Sequence, residues 1–504
     1  MISRRRWLFG SAALAAAGPL GVRPATAASS PLALGERAWH ALNRLAFGPR
    51  PGDAAAVHAL GPERWLGRFI EEQLEPDRLA HPVALQERLA LLDTLPLGQA
   101  ELIGRYREAR RAVQEERRKA QPQGRDMAAP VKAGGVGASV RPVLLQAATA
   151  RFARALHSPA QLEEVLVDFW FNHFNVFHNK GLVNALVGNY EREAIRPHVL
   201  GSFRAMLGAV AHHPAMLVYL DNNRSVAPGS PSARSGPAGL NENYARELME
   251  LHTLGVDGGY RQQDVTELAR ILTGWTVDPD GTRTGAGGSA FRFNAKRHDR
   301  GVKHWLGHTI EPAGEAEGEK ALDILAAHPA TAHHLSYKLA QAFVADQPPP
   351  ALVQRMAQRY TASGGQLKAV MKEMLSADEF WQPQAWAAKF KTPYQYLLSS
   401  LRAVGADFSD VQPLLGWLKQ AGMPLYGATT PDGYKNTAAA WMNPEGLTQR
   451  VQFARALARR HPAMPALLDT LGPTVGPATR AAVAAEPPAL QTALLLASPD
   501  FMRC

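Results

Sequence analysis

The sequence predicts a mainly α-helical protein: a large multi-helix globular domain with one small β-hairpin and Gly/Pro-rich loops around a cleft. Nearly every segment with hydrophobic periodicity repeats at helical spacing. The chain has 504 residues, of which 46% are hydrophobic and 20% charged, an ordinary globular composition. Clusters of Gly and Pro separate the helical segments. The chain is therefore long enough to build one large core or two lobes.

The first 27 residues have the pattern of an export signal. The sequence SRRRWL at 3–8 is a twin-arginine motif, an apolar run continues to Leu20, and Ala-Thr-Ala at 25–27 offers a cleavage site between small residues. A bilayer span needs roughly 20 apolar residues, so this run is too short for a stable membrane anchor. We therefore expect a periplasmic or secreted protein.

Charge and cysteine content narrow the functional classes. The net charge of +10 would fall to +6 on removal of residues 1–27, an excess that suits weak attraction to anionic surfaces. No Lys/Arg stripe with interleaved aromatic residues is present, so we expect no nucleic-acid partner. Cys504 is the only cysteine, which excludes an intramolecular disulfide, a thiolate metal cluster and thioether-linked haem.

An N-terminal helical region is predicted at 28–120. It contains short helices at 35–47 and 62–74, followed by a longer helical stretch from 81 that ends in a mixed-charge arm. A Pro/Gly/Lys-rich segment at 121–140 predicts a flexible loop.

The core helical region, 141–345, begins with predicted helices at 141–156 and 162–177. Ser158 is the expected N-cap of the second helix. His173 lies on that helix among aromatic side chains. A histidine in such a position is either a satisfied core residue or a ligand or acid/base group.

The polar stretch NENYARELMELHTLGVDGGYRQQDVTELARILTGW at 241–275 predicts two helices around a Gly-rich turn. Glu242, Arg246 and Glu250 repeat every four residues, a spacing typical of an intrahelical ion-pair ladder.

The same two helices carry candidate metal ligands. Glu247 and Glu250 share a face of the first helix, and Glu267 lies on the second. Carboxylates that face one another across a helix hairpin, joined by a histidine from a third helix, could hold a hard metal or iron. The Glu-x-x-His spacing of di-iron proteins is absent. The alternative is a buried ion-pair network that fixes the hairpin.

The small hairpin is predicted around 275–293, and the polar sequence HDRGVKHWLG follows at 298–307. The adjacent His298 and Asp299 are not needed to form a turn, since Asn, Asp and Gly residues alone are sufficient for that. We therefore add both to the candidate functional residues.

The C-terminal helical region, 346–504, is predicted to be helical as far as residue 400. Beyond that, Gly/Pro/aromatic segments such as 424–434 are expected to form the wall or lid of a cleft, or ordered surface loops.

Motifs distributed over most of the chain resemble the bacterial family called domain of unknown function 1800. They are FWFNHFNV at 169–176, NENYARELMELHTLG at 241–255, TELARILTGW ending at 275, HDRGVKHWLG at 298–307, TAHHLSYKLAQAFV at 331–344 and PLYGATTPDGY at 424–434. The resemblance implies an exported, mainly helical protein that is often encoded beside another exported protein. It implies no established reaction.

Two hypotheses follow, and the first is a periplasmic enzyme that depends on a metal ion or haem. Its catalytic candidates are His173, Glu247, His298 and Asp299, and its metal-ligand candidates are His173, Glu247, Glu250, Glu267 and His298. A faint similarity to animal-type haem peroxidases, with Gly-His-Thr at 307–309 where a proximal histidine would lie, agrees with this hypothesis. The cofactor itself stays open.

The second hypothesis is a non-catalytic binding or assembly factor for another exported protein, with the charged arm at 105–120 as the docking element. A two-carboxylate glycan hydrolase that uses Glu247 and Glu267 is a further alternative, because sequence does not show carboxylate separation. No G-x-S-x-G elbow, P-loop, dinucleotide fingerprint or H-E-x-x-H motif is present.

Overall fold

A computed structural model describes residues 31–120, 136–230, 239–278, 288–462 and 464–504. The predicted export signal at 1–27 lies outside these residues. Within them the protein is mainly α-helical with two small antiparallel hairpins, which confirms the predicted fold class. None of the described helices is long and apolar enough to cross a bilayer.

The N-terminal region forms five helices where the sequence predicted three helical stretches. The predicted stretch beginning at 81 divides because residues 91–98 leave the helix. The helices are α1 (Leu34–Arg44), α2 (Asp53–Leu60), α3 (Pro62–Gln73), α4 (Val83–Ala90) and α5 (Gln99–Ala120).

Helices of the central region surround the most deeply buried aromatic side chains. They are α6 (Val136–His157), α7 (Gln161–His173), α8 (Val183–Tyr190), α9 (Phe203–His212) and α10 (Pro214–Tyr219), with a π-helical turn at 191–195. Because α6 begins at Val136, the last five residues of the loop predicted at 121–140 are helical. The predicted cap on α7 is wrong: its N-cap is Ala160, and Ser158 accepts a hydrogen bond from the Ala160 backbone instead.

Helix α7 ends four residues earlier than predicted, at His173. The chain then turns because its polar groups find partners outside the helix. Tyr190 donates a hydrogen bond of 2.7 Å to the carbonyl of Phe174, and the Asn175 amide donates to the carbonyls of Ala428 and Thr430.

The predicted helix pair at 241–275 is confirmed as α11 (Glu242–Glu250) and α12 (Gln262–Ile271). Asn241 caps α11 by accepting a hydrogen bond from the Tyr244 backbone. The predicted intrahelical ladder is wrong, because its members bond across the hairpin. Arg246 donates to Gln262, Glu242 accepts from Gln262 and Thr266, and Glu250 accepts from Tyr260.

Two hairpins are present where one was predicted. The predicted one pairs β1 (Trp275–Val277) with β2 (Phe291–Phe293), and the second pairs β3 (Lys303–Trp305) with β4 (His308–Ile310). The second hairpin was not predicted, because its strands are only three residues long and one of their buried positions is occupied by a lysine, Lys303. Its turn residues Leu306 and Gly307 both have positive φ, where Asn-Gly is the usual signal.

The remaining helices complete the core. They are α13 (Glu315–Ala327), α14 (Pro329–Phe343), α15 (Pro350–Ala362), α16 (Leu367–Ser376), α17 (Pro393–Ala403), α18 (Gln412–Gln420), α19 (Ala438–Trp441), α20 (Pro444–Ala458), α21 (Met464–Leu471), α22 (Pro477–Ala484) and α23 (Pro488–Leu496). One hydrophobic cluster extends from Ala38 to Met502 and includes side chains from the N-terminal, central and C-terminal regions.

Candidate functional site

Three of the predicted site residues lie together beside the second hairpin. With their partners they form a group that we call the paired cluster: Glu267 and Arg270 on α12, His298 and Asp299 before β3, Lys303 on β3 and Glu317 on α13. At its centre, Lys303 Nζ lies 2.5 Å from Glu317 Oε2, and both side chains are fully buried. His298 Nε2 lies 3.0 Å from Glu317 Oε1, and His298 Nδ1 lies 2.8 Å from the carbonyl oxygen of Thr273.

Arg270 forms the outer half of the paired cluster. Its guanidinium donates to both oxygens of Glu267 at 2.8 and 2.9 Å and to both oxygens of Asp299 at 2.9 and 3.1 Å. Burial raises the pKa of Asp299, but hydrogen bonds from Arg270 and the Gly301 backbone bring that pKa below its usual value. Asp299, Glu267 and His298 are therefore occupied by protein partners, as in the predicted ion-pair network.

Glu247 and Glu250 lie on α11, and neither belongs to the paired cluster. Glu250 accepts a hydrogen bond of 2.9 Å from Tyr260. Glu247 is half-buried, and its pKa is raised by burial, by Glu250 and by Asp432.

His173 differs from the other candidates because one of its ring nitrogens is unpaired. Nε2 lies 3.1 Å from the backbone oxygen of His252, and Nδ1 is buried without a hydrogen-bond partner among the described residues. The pKa of His173 is held well below its usual value, chiefly by burial and then by Lys338, His334 and His252. The ring is therefore neutral at physiological pH.

Two more histidines accompany His173, and we call the three the histidine cluster. The ring of His252 on one side and that of His334 on the other have centroids 6.3 and 6.2 Å from the His173 ring. In each of these two residues Nε2 is buried and has no partner in the described part of the chain. Burial, followed by the positive charge of Lys338, lowers the pKa of His252 to about 3 and that of His334 to about 4.

The predicted metal-ligand residues do not assemble into one centre. His173 belongs to the histidine cluster, His298 and Glu267 to the paired cluster, and Glu250 bonds to Tyr260. In the residues that the structure describes, no three His, Cys, Asp or Glu side chains are placed to hold a metal ion. His308, the proximal-histidine candidate, is exposed on β4.

A cavity of about 350 Å³ lies beside the histidine cluster, with His173 in its wall. Distant parts of the chain meet there. Its wall contains polar residues from five parts of the chain: Asn43 and Arg44 from α1, Asp168 and Asn172 from α7, Lys338 and Gln341 from α14, Thr392 and Gln395 near the start of α17, and Asp432, Tyr434, Lys435, Asn436 and Thr437 from the segment between α18 and α19. Four of the family-like motifs, at 169–176, 241–255, 331–344 and 424–434, therefore contribute to this cavity, the second of them through Leu251.

The loop at 424–434 forms one side of the cavity, as the sequence predicted for its Gly/Pro/aromatic pattern. The side-chain amide of Asn172 binds this loop through both backbone groups of Tyr434. Its Nδ2 donates to the Tyr434 carbonyl at 2.8 Å, and its Oδ1 accepts from the Tyr434 backbone N–H at 2.7 Å. Gly433 is required here. Its φ is +65°, and a Cβ would lie 2.4 Å from the carbonyl oxygen of Asn172.

The two lysines of the cavity wall have different electrostatic surroundings. Lys435 pairs with Asp432 at 2.6 Å and is largely exposed. Lys338 is half-buried, and its ammonium has neither an ion pair nor a hydrogen bond within the described ranges. Burial and the charge of Lys435 lower the pKa of Lys338. Lys338 was not among the residues predicted from the sequence. Its position on the apolar side of TAHHLSYKLAQAFV could have indicated a buried lysine.

Asp168 brings no free negative charge to the cavity. Its carboxylate lies 2.6 Å from Arg151, which also binds Glu191 at 2.7 Å, and Tyr426 donates to Glu191 at 2.9 Å. Burial raises the pKa of Asp168, and Arg151 opposes that increase. Both wall carboxylates are thus paired with other residues. Asp432 partly offsets the charge of Lys338 and opposes the decrease of its pKa, but Lys338 has no ion pair of its own among the described residues.

The family model described as Protein of unknown function (DUF1800) matches residues 40–503. No curated protein and no solved structure matches the chain. The matched range contains all six motifs found in the sequence and every wall residue of the cavity except Cys504. The chain therefore belongs to the DUF1800 family.

Proposed function

We propose that this protein binds a small anionic molecule in the central cavity, with Lys338 as the counter-charge. The observation that carries the proposal is the unpaired, half-buried ammonium of Lys338 in the cavity wall. A buried or half-buried charge without a partner is costly, so native proteins pair such groups with a protein side chain or a ligand. The proposal replaces the metal-centre hypothesis, whose donors are dispersed.

The size and lining of the cavity support a small ligand. Its volume of about 350 Å³ lies within the roughly 300–1,000 Å³ range of small-molecule sites. Phe169 and Phe343 provide apolar contact, and the amides of Asn172 and Gln341 provide polar contact. An anion against Lys338 would oppose the effect of burial and raise the pKa that burial now lowers.

Export through the twin-arginine route is part of the same proposal, and the motif at 3–8 supports it. A reporter fused to residues 1–30 should reach the periplasm, and replacing Arg4 and Arg5 by Lys should stop it. Delivery that continues through the general secretory route would contradict this part of the proposal.

The binding proposal is tested by thermal unfolding and calorimetry with acetate, propionate, L-lactate, succinate and inorganic phosphate. At least one anion should raise the unfolding temperature of the wild type, because a ligand that binds only the folded state stabilises it. Lys338→Met should remove that stabilisation. Lys435→Met is the matched control, since Lys435 shares the cavity but is already paired with Asp432. No response to any of the anions, or an equal response in Lys338→Met, would contradict the proposal.

A further inference from the structure

We propose that His173 selects, among anions held by Lys338, those that also carry a hydroxyl group as a hydrogen-bond donor. The inference rests on the proposed anion site and names its ligand class: the anion of a small hydroxy acid. The observation behind it is the buried, unpartnered Nδ1 of His173 in the wall of the same cavity, within the part of the chain that the structure describes.

The hydrogen bond on the other side of the ring fixes which nitrogen accepts. Nε2 lies 3.1 Å from the backbone oxygen of His252, and a carbonyl oxygen can only accept. Nε2 must therefore carry the proton. In a neutral imidazole this leaves Nδ1 with a lone pair and no hydrogen, so Nδ1 can only accept from a ligand.

The surroundings make His173 an acceptor and not a base. Full transfer of a proton to Nδ1 would create an imidazolium in a site that is 2% exposed, near the ammonium of Lys338 and the rings of His252 and His334. Each of these features opposes a second positive charge. A hydrogen bond from a neutral O–H or an N–H group satisfies Nδ1 without that charge.

The arrangement discriminates against anions without a donor. The hydroxyl of a ligand can donate a hydrogen bond to Nδ1. The analogue without the hydroxyl covers Nδ1 but leaves it without a hydrogen-bond donor. Leaving a buried polar group unpaired weakens binding by roughly 5- to 150-fold. The preference should be visible between ligands of nearly equal size, such as L-lactate and propionate or glycolate and acetate.

Calorimetric titration of the full-length mature protein tests this inference with those two matched pairs. The wild type should bind the hydroxy acid of each pair roughly 5- to 150-fold more tightly. His173→Phe should bind both members of a pair equally. His178→Phe is the control, because His178 also has an unpaired Nδ1 but does not line the cavity.

Each other outcome has a defined meaning. Equal wild-type affinity for both members of a pair overturns the inference and leaves the anion site intact. Loss of both ligands in a folded His173→Phe protein also overturns it, because His173 would then shape the cavity in general. No anion binding in the wild type defeats the proposed function itself, and the inference with it.

If His173→Phe does not fold, histidine-selective ¹⁵N NMR of the wild type supplies the test. The Nδ1 resonance of His173 should have the shift of an unprotonated nitrogen and should move on addition of L-lactate but not of propionate. A protonated Nδ1, or the same change with both acids, would overturn the inference.

Discussion

The paired cluster has six ionisable side chains and the histidine cluster has three, and the two differ in how those groups are satisfied. In the paired cluster, Lys303, Glu317 and His298 are all buried and each has protein partners at 2.5–3.0 Å. In the histidine cluster, three buried ring nitrogens have no partner among the described residues, and Lys338 nearby is unpaired. The first is satisfied by the protein itself, whereas we propose that a ligand satisfies the second.

A high density of polar side chains alone therefore does not distinguish a structural network from a binding site. The polar stretch at 241–275 and the sequence at 298–307 supplied most of the predicted site residues, but their side chains mostly bond to one another. Unpaired buried groups indicate a ligand because their desolvation is otherwise uncompensated.

The largest effect should come from the paired cluster. Glu317→Gln removes the negative charge beside Lys303, whose side chain has 0% exposure. Breaking one side of a buried pair leaves an uncompensated charge and destabilises by about 3–5 kcal/mol. Urea unfolding measures this change. Glu315→Gln, an exposed residue of the same helix, should change stability by less than about 0.5 kcal/mol, and equal stability of the two variants would contradict the assignment.

The histidine cluster should make the stability of the protein depend on pH. His252 has a pKa of about 3 when folded and about 6.5 when unfolded, so only the unfolded state takes up its proton between these values. The stabilisation is complete above pH 6.5 and is lost as the pH falls toward 3. Between pH 7 and pH 5 this residue should account for about 2 kcal/mol of lost stability.

Unfolding free energies of His252→Phe at the two pH values provide the measurement. The variant should show a shallower dependence on pH by about 2 kcal/mol, whereas His333→Gln, an exposed neighbour of His334, should leave the dependence unchanged. A His252→Phe protein with the wild-type dependence would show that folding does not lower the pKa of His252.

The smallest effect on stability is expected at Lys338. Replacing an unpaired, half-buried ammonium by a methionine of similar length removes a desolvated charge and adds apolar contact. Without ligand, Lys338→Met should therefore be as stable as the wild type or more stable by up to about 1 kcal/mol. Lys435→Met, which breaks a largely exposed pair, should be neutral or slightly less stable. Marked destabilisation of Lys338→Met would show that Lys338 has a structural partner.

Much of the helical architecture follows from sequence periodicity. The α3, α11 and α12 helices and the first hairpin lie where predicted, because apolar spacing and turn residues are local signals. The second hairpin was missed because Lys303 occupies an inward strand position, and its buried ammonium is paired with Glu317 of a later helix and with the Asp299 backbone. The early end of α7 depends on Tyr190 and on the 424–434 loop in the same way.

The site could be predicted only in part. His173 was one of the predicted site residues, and the wall of a cleft was one of two alternatives for the loop at 424–434; residues of both line the cavity. Which polar groups are unpaired depends on contacts between segments hundreds of residues apart, such as Asn172 with Tyr434. For that reason the sequence could not distinguish His298, whose nitrogens both have partners, from His173, whose Nδ1 does not.

The central claim is that unpaired groups, and not dense polar networks, mark the binding site. Its most direct test is calorimetry of the anion that binds the wild type best, applied to Glu317→Gln and Lys338→Met at a temperature where both remain folded. Glu317→Gln should keep wild-type affinity despite its lower stability, and Lys338→Met should lose at least about tenfold, as expected for a charged hydrogen bond. Equal loss in both variants, or loss only in Glu317→Gln, would contradict the account.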